Sequence, residues 1–166
     1  MHIDEIRTGG QSGADRAAFD VARLYNIPIC GWCPKGGWAE DMPEPPGLLA
    51  VYPEMIETPS DGTIQRTEWN IRDSSVCIVF DTFENTTSPG TDAGMTFFDK
   101  YDVPCFEYDL NGGERRQFDE LFSWLEEISD RYDPFVLGVG GPRASEYDGI
   151  YVIVFDILDR IISKIQ

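Results

Sequence analysis

The chain has 166 residues, enough for a buried core, and we expect residues 1–166 to form a single domain. Its 13 Lys and Arg stand against 30 Asp and Glu, which gives a formal net charge of −17. This charge disfavours a nucleic-acid-binding surface, because such a surface needs many cationic contacts to phosphates. The sequence has no run of about 18 apolar residues for a membrane span, and its first residues lack a signal-peptide pattern. We therefore expect a cytoplasmic protein that binds neither nucleic acid nor membrane.

Short apolar runs alternate with helical patterns along the chain. The strand patterns lie at residues 3–7, 27–31, 52–58, 76–80, 103–106 and 135–139. The helical patterns lie at residues 17–24, near residue 61, near residue 91, at residues 118–128 and at residues 151–165. This alternation predicts an α/β fold, namely a three-layer, doubly wound, Rossmann-like open sheet that is mostly parallel. Ligands of such a sheet bind beyond the carboxyl ends of its strands.

The loop TGGQSGAD, residues 8–15, joins the first predicted strand to the first predicted helix. It contributes Gly9, Gly10, Gln11, Ser12 and Gly13. Glycine lets a ligand approach the backbone closely, and the free N–H groups of a helix's first turn favour an anion. We therefore expect an anion-binding loop. Arg16 is expected to pair with Asp15 or with a bound phosphate, and Asp15 to complement the helix dipole.

Several common nucleotide enzymes are disfavoured by the same residues. The glycine spacing is not a full dinucleotide fingerprint, and Gly31-Trp32 stands where a nicotinamide enzyme carries a ribose-binding acid. The sequence Lys35-Gly36-Gly37 lacks the hydroxyl residue of a P-loop. The single histidine, His2, lies at the amino end, so no catalytic imidazole is expected. A binding protein is favoured over an enzyme.

The positions of the basic residues are selective in so acidic a chain. Lys35 lies with Gly36 in CPKGGW, Arg143 lies in GGPRAS, and Arg66 lies on a helix with Thr67 and Asn70. If the strands are parallel, these segments meet at one edge of the sheet and form a local positive pocket around TGGQSGAD. On this hypothesis, changing Lys35 to Ala weakens ligand binding without unfolding the chain. The alternative for each cation alone is a solvated surface position.

The sequence leaves the roles of two further motifs open. The loop SPGTDAG, with Gly90 and Thr91, offers either a second anion-binding helix start or a simple helix cap. Cys30 and Cys33 have the spacing of a dithiol, but a proline and glycines follow them where a redox motif would continue into a helix. No second cysteine pair completes a zinc site, so no structural metal is expected.

Five segments together resemble the molybdenum carrier family. They are TGGQSGADRAAFD, GWCPKGGWAED, YPEMIETPSDGTIQRTEWNIRDSS, SPGTDAG and VGGPRASEYDGIY, and their order and spacing match over nearly the whole chain. That family is similar to a larger Rossmann-like group that includes the lysine-decarboxylase-like phosphoribohydrolases. The resemblance implies binding of molybdenum cofactor, a pterin with a phosphate tail and a dithiolene-held molybdenum. It also implies a homo-oligomer, a dimer or tetramer, that stores or delivers this ligand.

The resemblance also implies which residues bind the ligand. They are Gly9, Gly10, Gln11, Ser12 and Gly13 in one loop, Lys35 and Gly36 in a second, Arg66, Thr67 and Asn70 on a helix, and Gly90 and Thr91. The hydrolases of the larger group carry a catalytic glutamate three residues after Gly-Thr, where this chain has Gly94. Two alternatives stay open: a nucleotide-binding, phosphoribohydrolase-like enzyme that uses Glu40, Asp41 or Asp92 instead, and a nucleotide sensor.

Overall fold

The computed structural model describes residues 1–83 and 89–165, except for the side chains of residues 89–93. Strands and helices alternate along these residues. The strands are β1 Glu5–Arg7, β2 Ile29–Cys30, β3 Trp32–Cys33, β4 Ile56–Glu57, β5 Val76–Asp81, β6 Cys105–Asp109 and β7 Val136–Gly140. The helices are α1 Ala14–Leu24, α2 Leu48–Val51, α3 Thr63–Arg72, α4 Pro89–Tyr101, α5 Glu114–Ser129 and α6 Ile150–Ile165. None of the helices in these ranges is long and apolar enough to span a membrane.

The main sheet has five strands in the order β2-β1-β7-β5-β6, and all neighbours are parallel. The predicted α/β, Rossmann-like open sheet is therefore confirmed. The last strand in the chain, β7, lies at the centre, between β1 and β5. Because parallel strands end at the same edge, the loops after β1 and β7 are neighbours.

The two weaker strand patterns, at residues 27–31 and 52–58, differ in part from the prediction. The run at residues 27–31 ends its part in the main sheet at Cys30, and the chain then enters β3, which pairs with β4 in a separate two-stranded parallel sheet. Of the run at residues 52–58, only Ile56–Glu57 forms a strand. Helix α4 begins at Pro89, close to the start predicted near residue 91. A proline suits the first position of a helix, because its missing N–H is not needed there.

The side chains of β5 alternate between two hydrophobic clusters, because successive residues of a strand point to opposite faces. The larger cluster contains Val76, Ile78 and Phe80 with the apolar faces of α1, α5 and α6. The smaller cluster contains Cys77 and Val79 and is covered by α3 and α4. Helices thus lie on both faces of the sheet, as the three-layer prediction requires.

Glu40 joins three loops beside the carboxyl ends of β1 and β7. Its carboxylate accepts hydrogen bonds from the Ser12 hydroxyl, the Ser145 hydroxyl and, at 3.2 Å, the Ser145 N–H. The backbone N–H of Glu40 donates to the Gln11 side-chain oxygen at 2.9 Å. Desolvation alone would raise the pKa of Glu40, but the hydrogen bonds from Ser12 and Ser145 bring it below its usual value. The ionised carboxylate therefore stabilises this junction.

Two valines of α6 test the core assignment with the same substitution. The Val154 side chain is fully buried, whereas Val152 is 68% exposed. Val154→Ala is expected to lower the free energy of unfolding by about 2–3 kcal/mol, because it removes buried methyl groups and leaves a cavity. Val152→Ala is expected to raise it by up to about 0.5 kcal/mol, because Ala favours a helix. Urea unfolding followed by circular dichroism measures both, and equal losses would contradict the assignment.

Glu40→Gln tests the loop junction through its pH dependence. The pKa of Glu40 is lower in the folded chain, so ionised Glu40 stabilises the fold above about pH 4.3, and this contribution disappears as pH falls through the folded value. At neutral pH the variant is expected to unfold with about 1–2 kcal/mol less free energy than the parent. The difference should shrink below about pH 4. Glu44→Gln, at an exposed glutamate of the same loop, is the control and should change stability little at either pH.

Candidate functional site

A pocket lies between the sheet and the helices α3 and α4, on the face with the smaller hydrophobic cluster. Residues of β1, β5 and β7 and of the loops after β1 and β7 line it from the sheet side. Its cavity volume is about 90 Å³, and the empty space including the open mouth is about 740 Å³. The loops after β1 and β7 place part of the pocket at the carboxyl ends of these strands, where open α/β sheets bind ligands.

Glycines of the last strand and of the loop after it make room for this pocket. Gly138, Gly140 and Gly141 all line it. A Cβ on Gly140 would meet no atom within 4 Å, so this position faces open space, whereas a Cβ on Gly138 would collide with the side chains of Cys77 and Ser74. Larger residues at these positions would fill the pocket or push α3 away from the sheet.

Three arginines line the pocket of this otherwise anionic chain: Arg7 from β1, Arg66 from α3 and Arg143 from the loop after β7. Arg7 is partly paired, since its Nη2 donates to Glu5 at 2.9 Å and its Nη1 lies 3.9 Å from the Asp73 carboxylate, but its buried Nε has no hydrogen-bond partner among the described residues. All three guanidinium groups, from separate elements, therefore keep donor capacity for a ligand.

Arg66 is largely buried, with 14% of its side chain exposed. Desolvation lowers the pKa of Arg66, although Asp15 opposes this, and its Nη1 lies 3.7 Å from Asp15 Oδ2. That separation is longer than a hydrogen bond. A Cβ on Gly9 would collide with the Arg66 guanidinium, so glycine at position 9 provides the space that Arg66 occupies. The guanidinium keeps donor capacity for an added acceptor.

Arg143 has loose contacts within the described residues. Its Cζ lies 5.3 Å from the centre of the Trp38 ring, and its Nε lies 3.9 Å from the Glu146 carboxylate. Its side chain is 29% exposed. A cation over an aromatic face is held in orientation without using its hydrogen-bond donors. Arg143 is therefore placed to contact a ligand beside Arg66.

Asp15 occupies the position that the glycine loop was expected to offer to an anion. The side chain of Asp15 lines the pocket and is 6% exposed, and its Oδ2 accepts a hydrogen bond from the Gln11 N–H at 3.2 Å. Burial raises the pKa of Asp15, while Arg66 and the N–H groups of Gln11 and Gly9 oppose that rise. An internal carboxylate thus lies next to the buried Arg66 guanidinium.

Other N–H groups of the TGGQSGAD loop are also bonded within the protein. Gly10 donates to the Thr8 hydroxyl at 2.8 Å, Ser12 donates to the Gln11 side chain at 3.1 Å, and Ala14 donates to the Pro142 carbonyl at 3.2 Å. The sequence predicts free N–H groups at the start of the helix, but the three N–H groups of Gly10, Ser12 and Ala14 are bonded within the protein. The loop instead acts as a rigid base from which Gly9, Gln11 and Asp15 reach the pocket.

The residues predicted from the sequence divide into two groups. Those that line the pocket are Gly9, Gln11, Arg66, Thr67, Asn70 and Arg143. Among the described residues, the pocket lining does not include Gly10, Ser12, Gly13, Arg16, Lys35 and Gly36. Gly90 and Thr91 lie in the first turn of α4, and the predicted role of the Thr91 hydroxyl falls outside the described side chains.

Residues of the second group have structural contacts. Arg16 forms an ion pair with Asp41 at 2.9 Å and donates to the Gly10 carbonyl at 3.2 Å. Lys35 is exposed, and the N–H of Gly36 donates to the Glu57 carboxylate at 3.0 Å. These contacts hold the loops around the pocket in place.

Asn70 and Thr67 combine a pocket position with a structural role. The Asn70 side chain accepts from the Trp32 N–H at 2.8 Å and donates to the Trp32 carbonyl at 2.9 Å, which ties α3 to β3. The Thr67 hydroxyl donates to the Thr63 carbonyl at 3.0 Å. Asn70 therefore fixes the helix on which Arg66 is carried.

Sequence reasoning missed the apolar and glycine lining. It includes Ile71, Cys77, Val79, Phe98, Gly138 and Gly140. The available signal was the sequence VLGVGG, in which glycines alternate along a predicted buried strand. Burial raises the pKa of Cys77 to about 12, so this thiol lines the pocket as a neutral group. Among the side chains described, no group of three His, Cys, Asp or Glu could hold a metal ion.

Comparison with known proteins gives a family and a structural neighbour. The model of the circularly permutated YpsA SLOG family matches residues 6–162. The crystal structure of a "putative molybdenum carrier protein" from Syntrophus aciditrophicus SB is similar, with a TM-score of 0.80 and 31% sequence identity over 96% of this chain and 95% of that one. No curated protein matches the sequence. The family match over nearly the whole chain and the shared fold lead to one conclusion: this chain belongs to the circularly permutated YpsA SLOG family.

Proposed function

We propose that this protein is a carrier that binds a phosphate-bearing small molecule, molybdenum cofactor first among the candidates, in the pocket under α3 and α4. The observation that carries the proposal is the convergence of Arg66 and Arg143 on one pocket of a chain with a net charge of −17. Guanidinium groups suit phosphate because they offer several donors in a planar fork. The name of the structural neighbour, a molybdenum carrier protein, supports the choice of ligand.

The two ends of such a ligand match different parts of the lining. A phosphate would lie at Arg66 and Arg143, and a flat pterin ring would pack on the apolar side chains of Ile71, Val79 and Phe98. The enclosed volume of about 90 Å³ takes one part of the ligand, and the mouth takes the rest. The dithiolene of the cofactor already holds the molybdenum, so the protein binds it as cargo.

The position of Gly94 supports binding without hydrolysis. The resemblance to the larger hydrolase group implies a catalytic glutamate at this position in the hydrolases, whereas here the position is Gly94, which lines the pocket without a side chain. A Cβ at Gly94 would lie 3.4 Å from the Thr67 methyl group, so α3 and α4 are close-packed there. We therefore propose a binding role and not cleavage of a nucleoside monophosphate.

Arginine variants test the site. Arg66→Gln and Arg143→Gln are each expected to weaken binding of molybdenum cofactor about 10- to 100-fold, because each removes a charge-assisted hydrogen bond to phosphate. Arg116→Gln, at a cation with 78% side-chain exposure on α5, is the control and should bind as the parent does. Fluorescence titration of the apoprotein with released cofactor measures all three.

The same titration tests the remaining predicted cation and the ligand class. If Lys35→Ala binds molybdenum cofactor with unchanged affinity, Lys35 is not part of the site. If its affinity falls as much as that of Arg66→Gln, Lys35 belongs to the site. Saturable binding of AMP with no binding of molybdenum cofactor would contradict the proposed ligand. Equal affinity of the Arg66, Arg143 and Arg116 variants would contradict the proposed pocket.

A further inference from the structure

We propose that Asp15 couples anion binding in this pocket to the uptake of one proton, so that the protein holds its ligand more tightly at lower pH. The inference rests on the proposed function, since it concerns the same pocket and its anionic ligand. It assigns to Asp15 a regulatory role that goes beyond complementing the dipole of α1.

The geometry places the carboxylate where a bound anion must approach it. Asp15 Oδ2 lies 3.7 Å from the Nη1 of Arg66, and both side chains line the pocket. Among the described lining residues, Asp15 is the one acidic side chain. Any anion that contacts the Arg66 guanidinium therefore comes close to a second negative charge.

This closeness has an electrostatic consequence. Two like charges repel strongly at short range where solvent is partly excluded, and such a pair lowers its energy when one member takes up a proton. Asp15 is buried, and its burial already opposes ionisation. Once protonated from solvent, the carboxyl can donate a hydrogen bond to the anion, and Arg66 is left to pair with the ligand.

The charged groups around the pair of Asp15 and Arg66 come from several neighbouring elements. Arg66 on α3 and Arg16 on α1 act on Asp15, whereas Arg143 and Glu146 in the loop after β7 and the thiol of Cys33 on β3 act on Arg66. Guanidinium groups stay charged in proteins, and burial raises the pKa of the Cys33 thiol to about 11. Two further acids contact these arginines: Asp41 lies 2.9 Å from Arg16, and Glu146 lies 3.9 Å from Arg143.

The test uses two inorganic probes, sulfate and molybdate, with isothermal titration between about pH 5.5 and pH 8. Sulfate keeps the same charge over this range, so any proton that is taken up when sulfate binds must be bound by the protein. We expect the affinity of the parent protein for sulfate to fall about tenfold or more across the range. Titration in two buffers with different ionisation heats should show net uptake of a proton.

Asp15→Asn is the central variant, because its amide oxygen can still accept from the Gln11 N–H. It should bind both probes with nearly constant affinity across the range, and more tightly than the parent near pH 8. His2→Gln is the matched control. His2 is the one histidine of the chain, its side chain is 83% exposed, and it lies outside the pocket lining, so this variant should keep the pH dependence of the parent.

The outcomes separate the two proposals. Proton uptake by the parent that disappears in Asp15→Asn supports the inference. Sulfate binding with no proton uptake, or with uptake unchanged in Asp15→Asn, overturns the inference and leaves the proposed function standing. If the parent protein binds neither sulfate nor molybdate at any pH, the inference fails, and the proposed function is decided by the titration with molybdenum cofactor. Proton counting on the parent protein keeps the test decisive even where the variant does not fold.

Discussion

The placement of Arg66 next to Asp15 is the interaction on which the site depends. A guanidinium that is 14% exposed loses most of its hydration, and it is tolerated only beside a compensating charge. The pair brings together α3 and the start of α1, two elements on different sides of the sheet edge. It also requires glycine at position 9, because a side chain there would occupy the space of the guanidinium. One ion pair thus accounts for the glycine, the buried acid and the position of the helix.

The topology brings the second arginine to the same place. Because β7 lies between β1 and β5, the loop after the last strand lies against the loop after the first. The Ala14 N–H donates to the Pro142 carbonyl, and the Ala144 N–H donates to the Ser12 hydroxyl at 3.2 Å. These hydrogen bonds join segments more than a hundred residues apart in the chain. Arg143 therefore reaches the pocket as a direct result of the strand order.

Much of this arrangement could be predicted from the sequence, because its signals are local. Continuous apolar runs identified the central strands, and parallel strands imply that their loops meet, which is how Arg66 and Arg143 were grouped. The hydrogen bond from the Ala14 N–H to the Pro142 carbonyl could not be predicted, since this acceptor lies far away in sequence. The N–H groups of Gly10 and Ser12 bond to the nearby Thr8 and Gln11 side chains, whose orientation the sequence does not reveal. The separate pairing of β3 with β4 was missed for a different reason, because each strand has only two residues. Short strands carry too little pattern to reveal their partners.

The net charge of the chain gives the pocket a selective character. A body with a formal charge of −17 repels anions at a distance, so long-range attraction does not bring the ligand to the site. Under the proposed function, affinity comes from contacts within the pocket, where Arg66 and Arg143 act over a few ångströms and salt screens them less than exposed charges. Inorganic anions meet the same repulsion but gain nothing from the apolar lining. An amphiphilic ligand with a ring and a phosphate would gain from both parts, and this supports the proposal of a carrier for such a molecule over a general anion store.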